Sequence, residues 1–211
     1  RERLFTVIQG LLQNKPEAWR FSINVAIAFI PAAILGFLFL HALKEHFFNA
    51  ISVAIALIVG GFVILWAEKR PHTIRVESVD DMQPLDAFKV GLAQCAALFP
   101  GTSRSGATII GGLLFGLSRK VAAEFSFFLA IPTMFAATFY DVYKNRDAFV
   151  AADFPVFAVG FIVSFISALL VIRALMRYIS KHDFTAFAYY RIVFGAFILI
   201  SAATGWMSWS A

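Results

Sequence analysis

A single cysteine, Cys95, excludes an intramolecular disulfide, and its place in an apolar run makes it a small packed residue. Histidine is scarce as well. His41, His46, His72 and His182 fall at loops or helix ends, and no two have the spacing of metal ligands, which argues against a histidine-held metal. Charge is thin: Asp, Glu, Lys and Arg make up 15% of the chain, against about 25% in an ordinary soluble domain. No low-complexity segment interrupts the chain. Apolar residues fill the space that polar ones leave, at 60% of the sequence with 25 phenylalanines and a mean hydropathy of +0.78. These numbers select an all-α, polytopic integral membrane protein. The 211 residues hold roughly six to eight membrane elements of about 20 residues each, and no second, water-soluble domain.

The net charge of +5 would raise nucleic acid as a partner for a soluble protein. Here the basic residues stand at the ends of apolar runs, where they set topology and anchor to lipid head groups. Membrane lipid is therefore an expected partner and nucleic acid is not. The residues are read as one membrane domain, 1–211, with spans at about 21–43, 50–66, 121–140, 155–175 and 186–206. Pro31 and Pro132 lie inside two of them, which neighbouring helices tolerate. Gly60-Gly61 offers close helix approach, and Trp206 and Trp209 are expected interface anchors. The hydrophilic stretches are 68–86, the longest, then 144–154 and 177–184. The chain opens on Arg1-Glu2-Arg3 without a methionine, followed by a short apolar stretch at 4–12, so an N-terminal part is expected to be missing.

Residues 85–117 do not read as one straight span. Pro100-Gly101 breaks them in the middle, and each half is too short to cross about 30 Å of hydrocarbon. The halves form either one broken helix or a re-entrant hairpin. Charge placement favours the hairpin. With 21–43 and 50–66 as full spans, Arg1, Arg3, Lys15 and Arg20 share a side with Lys69, Arg70 and Arg75. A hairpin returns Arg119 and Lys120 to that side, and two more crossings return Arg173, Arg177 and Lys181. Only Lys44, Lys144 and Arg146 are then opposite.

The break carries Pro100-Gly101-Thr102-Ser103-Arg104-Ser105-Gly106-Ala107-Thr108. An arginine at bilayer depth is a functional-site candidate by default. If the second half-helix starts near Ser103, its first N–H groups lack intrahelical partners and its dipole places positive charge there, an arrangement suited to phosphate. Gly101 and Gly106 leave the backbone open to a ligand, and Thr102, Ser103 and Ser105 add hydroxyls. Arg104 adds a planar fork that matches two phosphate oxygens. Thr108 lies four residues on, on the same helical face. The plainer reading is that Ser, Thr and Gly pack helices closely and that Thr102 or Ser103 is an N-cap; packing does not require Arg104. Gln94 either faces the site or satisfies a neighbouring backbone group. Glu124, near Arg119 and Lys120, reads as half of a helix-end ion pair, and Ser126 and Arg191 are weaker signals of the same kind.

Gly91-Leu-Ala-Gln94, followed by Ala97-Leu-Phe-Pro100-Gly-Thr-Ser-Arg104-Ser-Gly-Ala-Thr108, resembles the second signature of the undecaprenyl-pyrophosphate phosphatase (bacitracin-resistance) family. Ala123-Glu124-Phe125-Ser126-Phe127, Pro132, Ile30-Pro31 and Gly60-Gly61 extend the resemblance over about 21–206. The resemblance implies inverted-topology repeats, each with a re-entrant helix hairpin, and places one hairpin at about 85–117. It implies a multi-pass enzyme of the bacterial plasma (inner) membrane. Such an enzyme hydrolyses undecaprenyl diphosphate to undecaprenyl phosphate and phosphate, recycles the lipid carrier of peptidoglycan synthesis and gives bacitracin resistance. Arg104, Ser103 and Ser105 take the catalytic roles by this resemblance, with Gly101, Thr102, Gly106, Thr108 and Gln94 binding substrate. A divalent cation, Mg²⁺ or Ca²⁺, is implied as cofactor. The family's first signature, a glutamate pair followed by Ser-Thr-Gly-His, does not occur in this sequence, so no metal ligand is assigned and the chain alone is expected to be inactive. A transporter or flippase of the polyprenyl phosphate carrier is the alternative, and a homo-oligomer stays open.

Overall fold

The structure is a computed structural model and describes residues 2–146, 154–179 and 181–206. The described residues form an all-α protein of eight helices: α1 (Glu2–Leu12), α2 (Pro16–Phe47), α3 (Ala50–Glu68), α4 (Pro84–Cys95), α5 (Arg104–Leu114), α6 (Arg119–Lys144), α7 (Phe154–Ile179) and α8 (Thr185–Ala203). Single 3-10 turns lie at Val79–Asp81 and Ala96–Leu98. Five helices, α2, α3, α6, α7 and α8, are long and apolar enough to cross a membrane, which makes this a multi-pass membrane protein. Polar caps mark where several of them start. Asn49 accepts Ser52 N–H at 2.8 Å ahead of α3, and Ser118 accepts Val121 N–H at 3.3 Å ahead of α6, each satisfying one of a helix's unpaired first donors. The helix α2 passes through Pro31 and, at about 48 Å long, extends past the expected 21–43 at both ends. Trp209 and the middle of 144–154 lie outside the described residues.

Small residues set which helices meet. A Cβ on Gly61 would come within 2.8 Å of Ala188 O, so α3 and α8 approach backbone to backbone there. A Cβ on Gly91 would lie 2.5 Å from Ala28 O, pressing α4 on α2, and one on Gly111 would lie 2.4 Å from Ala93 Cβ. That last contact folds α5 back against α4 as a helical hairpin, with α2, α3 and α6 around it. The helix α7 packs on α6, meets α8 near its end through Tyr178 against Phe187, and exposes Phe157, Phe161, Phe165 and Leu170, the surface of a helix that faces lipid.

The stretch 69–83 differs from its hydrophilic reading. Gly116 O accepts Arg75 N–H at 2.7 Å and Val76 N–H at 3.2 Å, and Ser118 N–H donates to Val76 O at 3.0 Å. Val76, Val79 and Met82 are buried, and Asn24 Nδ2 donates to Met82 O at 2.8 Å. The segment closes the open end of the hairpin because three apolar side chains interrupt its charges and the backbone after α5 offers free hydrogen-bonding groups.

Candidate active site

The hairpin reverses over a few residues. Thr102 N–H donates to Phe99 O at 3.1 Å, with Pro100 second and Gly101 third in the turn. Gly101 has φ +86°, the pattern of a type II turn that needs Pro and Gly in those places. The turn lies on α3: a Cβ on Gly101 would sit 2.5 Å from Val53 O. Ser103 then caps α5, its Oγ accepting Gly106 N–H at 3.1 Å and lying 3.2 Å from Ser105 Oγ. The N–H groups of Arg104 and Ser105, first in the helix, have no intrahelical acceptor.

Arg104 is the first residue of α5. A cation there meets the positive end of the helix dipole, the wrong sign for stability. No carboxylate pairs with it among the described residues. Its Nη1 donates to Ser126 O at 3.2 Å on α6, and the remainder of the fork is uncommitted. Ser126 holds the same turn a second time. Its Oγ lies 2.7 Å from Thr108 Oγ1, which also lies 3.0 Å from Arg104 O. With the Thr108 proton on that carbonyl, Ser126 is the donor to Thr108. Both residues are buried, so the pair fixes the first turn of α5 against α6 away from competing water. Substitution by alanine at Ser126 would remove only the hydroxyl contact to Thr108, because the acceptor for Arg104 is the backbone carbonyl, which alanine keeps.

On the other side of α5 a cleft of about 640 Å³ runs between the hairpin and α3. Its polar groups, Ser52, Thr102, Ser103 and Arg191, gather by the turn. Its walls along α3 and α5 are apolar: Ile55, Val59, Ile110 and Leu114. Arg191, from α8, donates through Nη2 to Gly101 O at 3.0 Å and to Ala56 O at 3.2 Å. Thr102, Ser103 and Gly106 line the cleft, Gly101 sits beneath the turn with its carbonyl held, and Ser105 adjoins Ser103. Arg104 and Thr108 face α6. Gln94 is 2% exposed; neither of its amide atoms has a hydrogen-bond partner, and it does not line the cleft. Arg119 pairs with Glu68, not with Glu124 as its spacing suggested. Glu68, at the end of α3, also accepts Phe184 N–H at 3.1 Å and so ties the ends of α3, α6 and α8 together.

Among the described residues, no group of three His, Cys, Asp or Glu side chains could hold a metal ion, and no carboxylate lines the cleft. A donor set of guanidinium, hydroxyls and backbone N–H binds anions and does not fit a hard divalent cation, which takes carboxylate and carbonyl oxygens. Ser126 and Arg191 matter more to the geometry than their sequence signal suggested. For Arg191 the signal was present: it is an arginine inside a span, the same criterion that singled out Arg104.

Comparison with known proteins places the sequence. The undecaprenyl-diphosphatase of Nitrosospira multiformis is 62% identical over 197 residues, 93% of this chain and 72% of its own length. Undecaprenyl-diphosphatase 2 of Rhodospirillum rubrum is 60% identical over 211 residues, all of this chain and 77% of its own. The undecaprenyl-diphosphatase of Pseudomonas putida is 55% identical over 210 residues, 76% of its own length. The profile of the family described as bacitracin resistance protein BacA matches residues 1–197, hairpin included, and the chain belongs to that family.

Proposed function

We propose that the protein is a membrane phosphatase that hydrolyses undecaprenyl diphosphate to undecaprenyl phosphate and phosphate, and so returns the lipid carrier to peptidoglycan synthesis. One observation carries this reading: Arg104 stands at the positive end of α5 with its fork uncommitted and no carboxylate beside it. A bound anion would balance that arrangement. The relatives' name supplies the anion's identity, and it favours hydrolysis over carriage by a transporter.

In this reading the Arg104 fork and the N–H groups of Arg104 and Ser105 bind the oxygens of the phosphoryl group, where charge develops as it transfers to water. Ser103 uses one oxygen lone pair as the cap, and with Ser105 donating across their hydroxyl contact its own O–H proton is left for a phosphate oxygen. Gly101 and Gly106 keep side chains out of the approach. Ser126 and Thr108 hold Arg104 in place and do not touch substrate. The apolar cleft wall along α3 and α5 suits an isoprenoid chain. At about 18 Å and about 16 Å, α4 and α5 are each too short to span the bilayer. The hairpin is accordingly re-entrant, within the inverted repeats that the family resemblance implies, in the bacterial plasma membrane. Mg²⁺ or Ca²⁺ belongs to the proposal as the cofactor that resemblance implies. Because the described donor set does not fit the ion, no step is derived through it.

The test is phosphate release from undecaprenyl diphosphate by the purified full-length parent of this chain in detergent, where no second compartment exists. Arg104→Ala is expected to abolish release. Undiminished turnover by that variant, at equal folded concentration, refutes the role of Arg104.

A further inference from the structure

Arg191 lies inside α8, a helix apolar enough to span the membrane, where a charge needs a reason. No carboxylate pairs with it among the described residues. Its Nη2 is spent on Ala56 O and Gly101 O. Its Nε is buried and has no acceptor, and no hydrogen bond engages Nη1. The neighbouring helix is shaped to admit it, since a Cβ on Gly60 would lie 2.5 Å from Nη2. The guanidinium thus crosses the backbone of α3 and enters the cleft beside Thr102 and Ser103.

A tether for the turn would account for Nη2 alone. It would not account for a permanent charge, or for N–H donors left without acceptors in apolar surroundings, where each unmade hydrogen bond is costly. Those donors and that charge match phosphate oxygens. Arg104, at the start of α5, extends toward Ser126 on α6, and Arg191, on α8, reaches the turn past α3. A diphosphate carries two phosphoryl groups, and a site with one guanidinium on each side of a single turn can hold both.

We propose that Arg191 is a second anion-binding guanidinium of the site, fixed by the Gly101 carbonyl and presenting its remaining donors to phosphate oxygens in the cleft. The inference rests on the diphosphatase reading. The ligand chemistry is a phosphoryl oxygen, supplied either by the lipid head group or by free phosphate.

The experiment measures KM and kcat for undecaprenyl diphosphate in detergent, together with inhibition constants for inorganic pyrophosphate and phosphate. The wild-type protein, Arg191→Lys and Arg191→Gln are compared at matched folded concentration. Arg191→Gln is expected to raise KM at least tenfold, and Arg191→Lys, which keeps the charge, to recover most of that loss. A parallel rise in the inhibition constants identifies a subsite shared with free phosphate. A rise in KM alone identifies a subsite that reads only the lipid head group. If both variants lower kcat or thermal stability while KM and the inhibition constants stay at wild-type values, Arg191 is only a tether and the inference is overturned. Should Arg191→Gln not fold, Arg191→Lys decides: a lysine variant with wild-type stability and KM raised more than tenfold contradicts binding by charge. All proteins are assayed as the full-length parent, and absence of phosphate release by its wild-type form would instead refute the diphosphatase reading itself, whatever the variants do.

Discussion

Substituting Gly101 by alanine adds one methyl group to the turn, and the structure says where it goes. Its Cβ would lie 2.5 Å from Val53 O, 2.9 Å from Val53 Cα and 3.0 Å from Ala56 Cβ. Two of these atoms are backbone of α3 and cannot rotate away. The residue also keeps φ +86°, which costs about 1–2 kcal/mol for a side chain with a Cβ. Overpacking adds about 1–3 kcal/mol. Lifting the turn off α3 relieves the clash but stretches the Arg191 bond to Gly101 O, a charged hydrogen bond worth about 1.5–3 kcal/mol. The protein takes the lesser route, so these terms are alternatives in part and do not add. We expect Gly101→Ala to lose about 2–4 kcal/mol of stability on these magnitudes.

Activity should fall further than stability does. The residues after Gly101 are the cap and the first turn of α5, and a displacement near 1 Å in a positioning element costs about 100-fold in rate. The assay is phosphate release per mole of folded protein, with folded protein counted by thermal unfolding in detergent. Gly160→Ala in α7 is the control, because nothing lies within 4 Å of its added Cβ; its rate should match wild type and its midpoint should not fall, alanine being the better helix former. A Gly101→Ala protein with the wild-type rate and midpoint would refute the claim that the turn's seat on α3 sets the site.

Two further predictions test the frame and the cofactor. Glu68 is 5% exposed at its side chain but Arg119 is 40% exposed, so water screens part of the pair. Glu68→Ala is therefore expected to lower stability by about 1–2 kcal/mol, read as a lowered midpoint with KM unchanged. Chelation of divalent cations should stop phosphate release, and Mg²⁺ or Ca²⁺ should restore it; release that persists in excess chelator removes the cation from the proposal.

What was legible in the sequence followed from local rules. Apolar runs at 50–66 and 186–206 are the places where α3 and α8 form, because hydrocarbon leaves a helix no alternative to internal hydrogen bonding. Pro100-Gly101 announced a turn and Thr102 or Ser103 a cap; the turn is there and Ser103 is the cap, since each depends only on neighbours within a few residues. The illegible parts are contacts between distant segments. Nothing near Val76 says that its partner is Leu117. Glu124 is five residues from Arg119, yet the carboxylate that Arg119 meets is Glu68, from the far end of another helix. Local spacing nominates the near partner, and packing chooses among all of them. Arg191 was legible as a charge inside a span, but not as a donor to Gly101 O, ninety residues earlier in the chain.

The position of the turn explains why it needs so many distant supports. A helix that begins with arginine opposes its own dipole, and α5, with 11 residues, is too short to be stable alone. The hairpin tip therefore cannot hold its conformation by local interactions. Ser126 fixes the first turn of α5 from α6, Val53 and Ala56 seat Gly101 from α3, and Arg191 fastens the turn's carbonyl from α8. Each support also leaves something over. Ser126 engages one nitrogen of Arg104 and leaves the remainder of the fork; Gly101 O engages one nitrogen of Arg191 and leaves the others. A purely structural clamp would have neutralised these cations with carboxylates, and Glu68 does so for Arg119 where only helix ends are being joined. The difference between the two places supports the proposed site: charge is cancelled where Glu68 joins helix ends and left uncancelled at Arg104 and Arg191, where the proposal puts the anion.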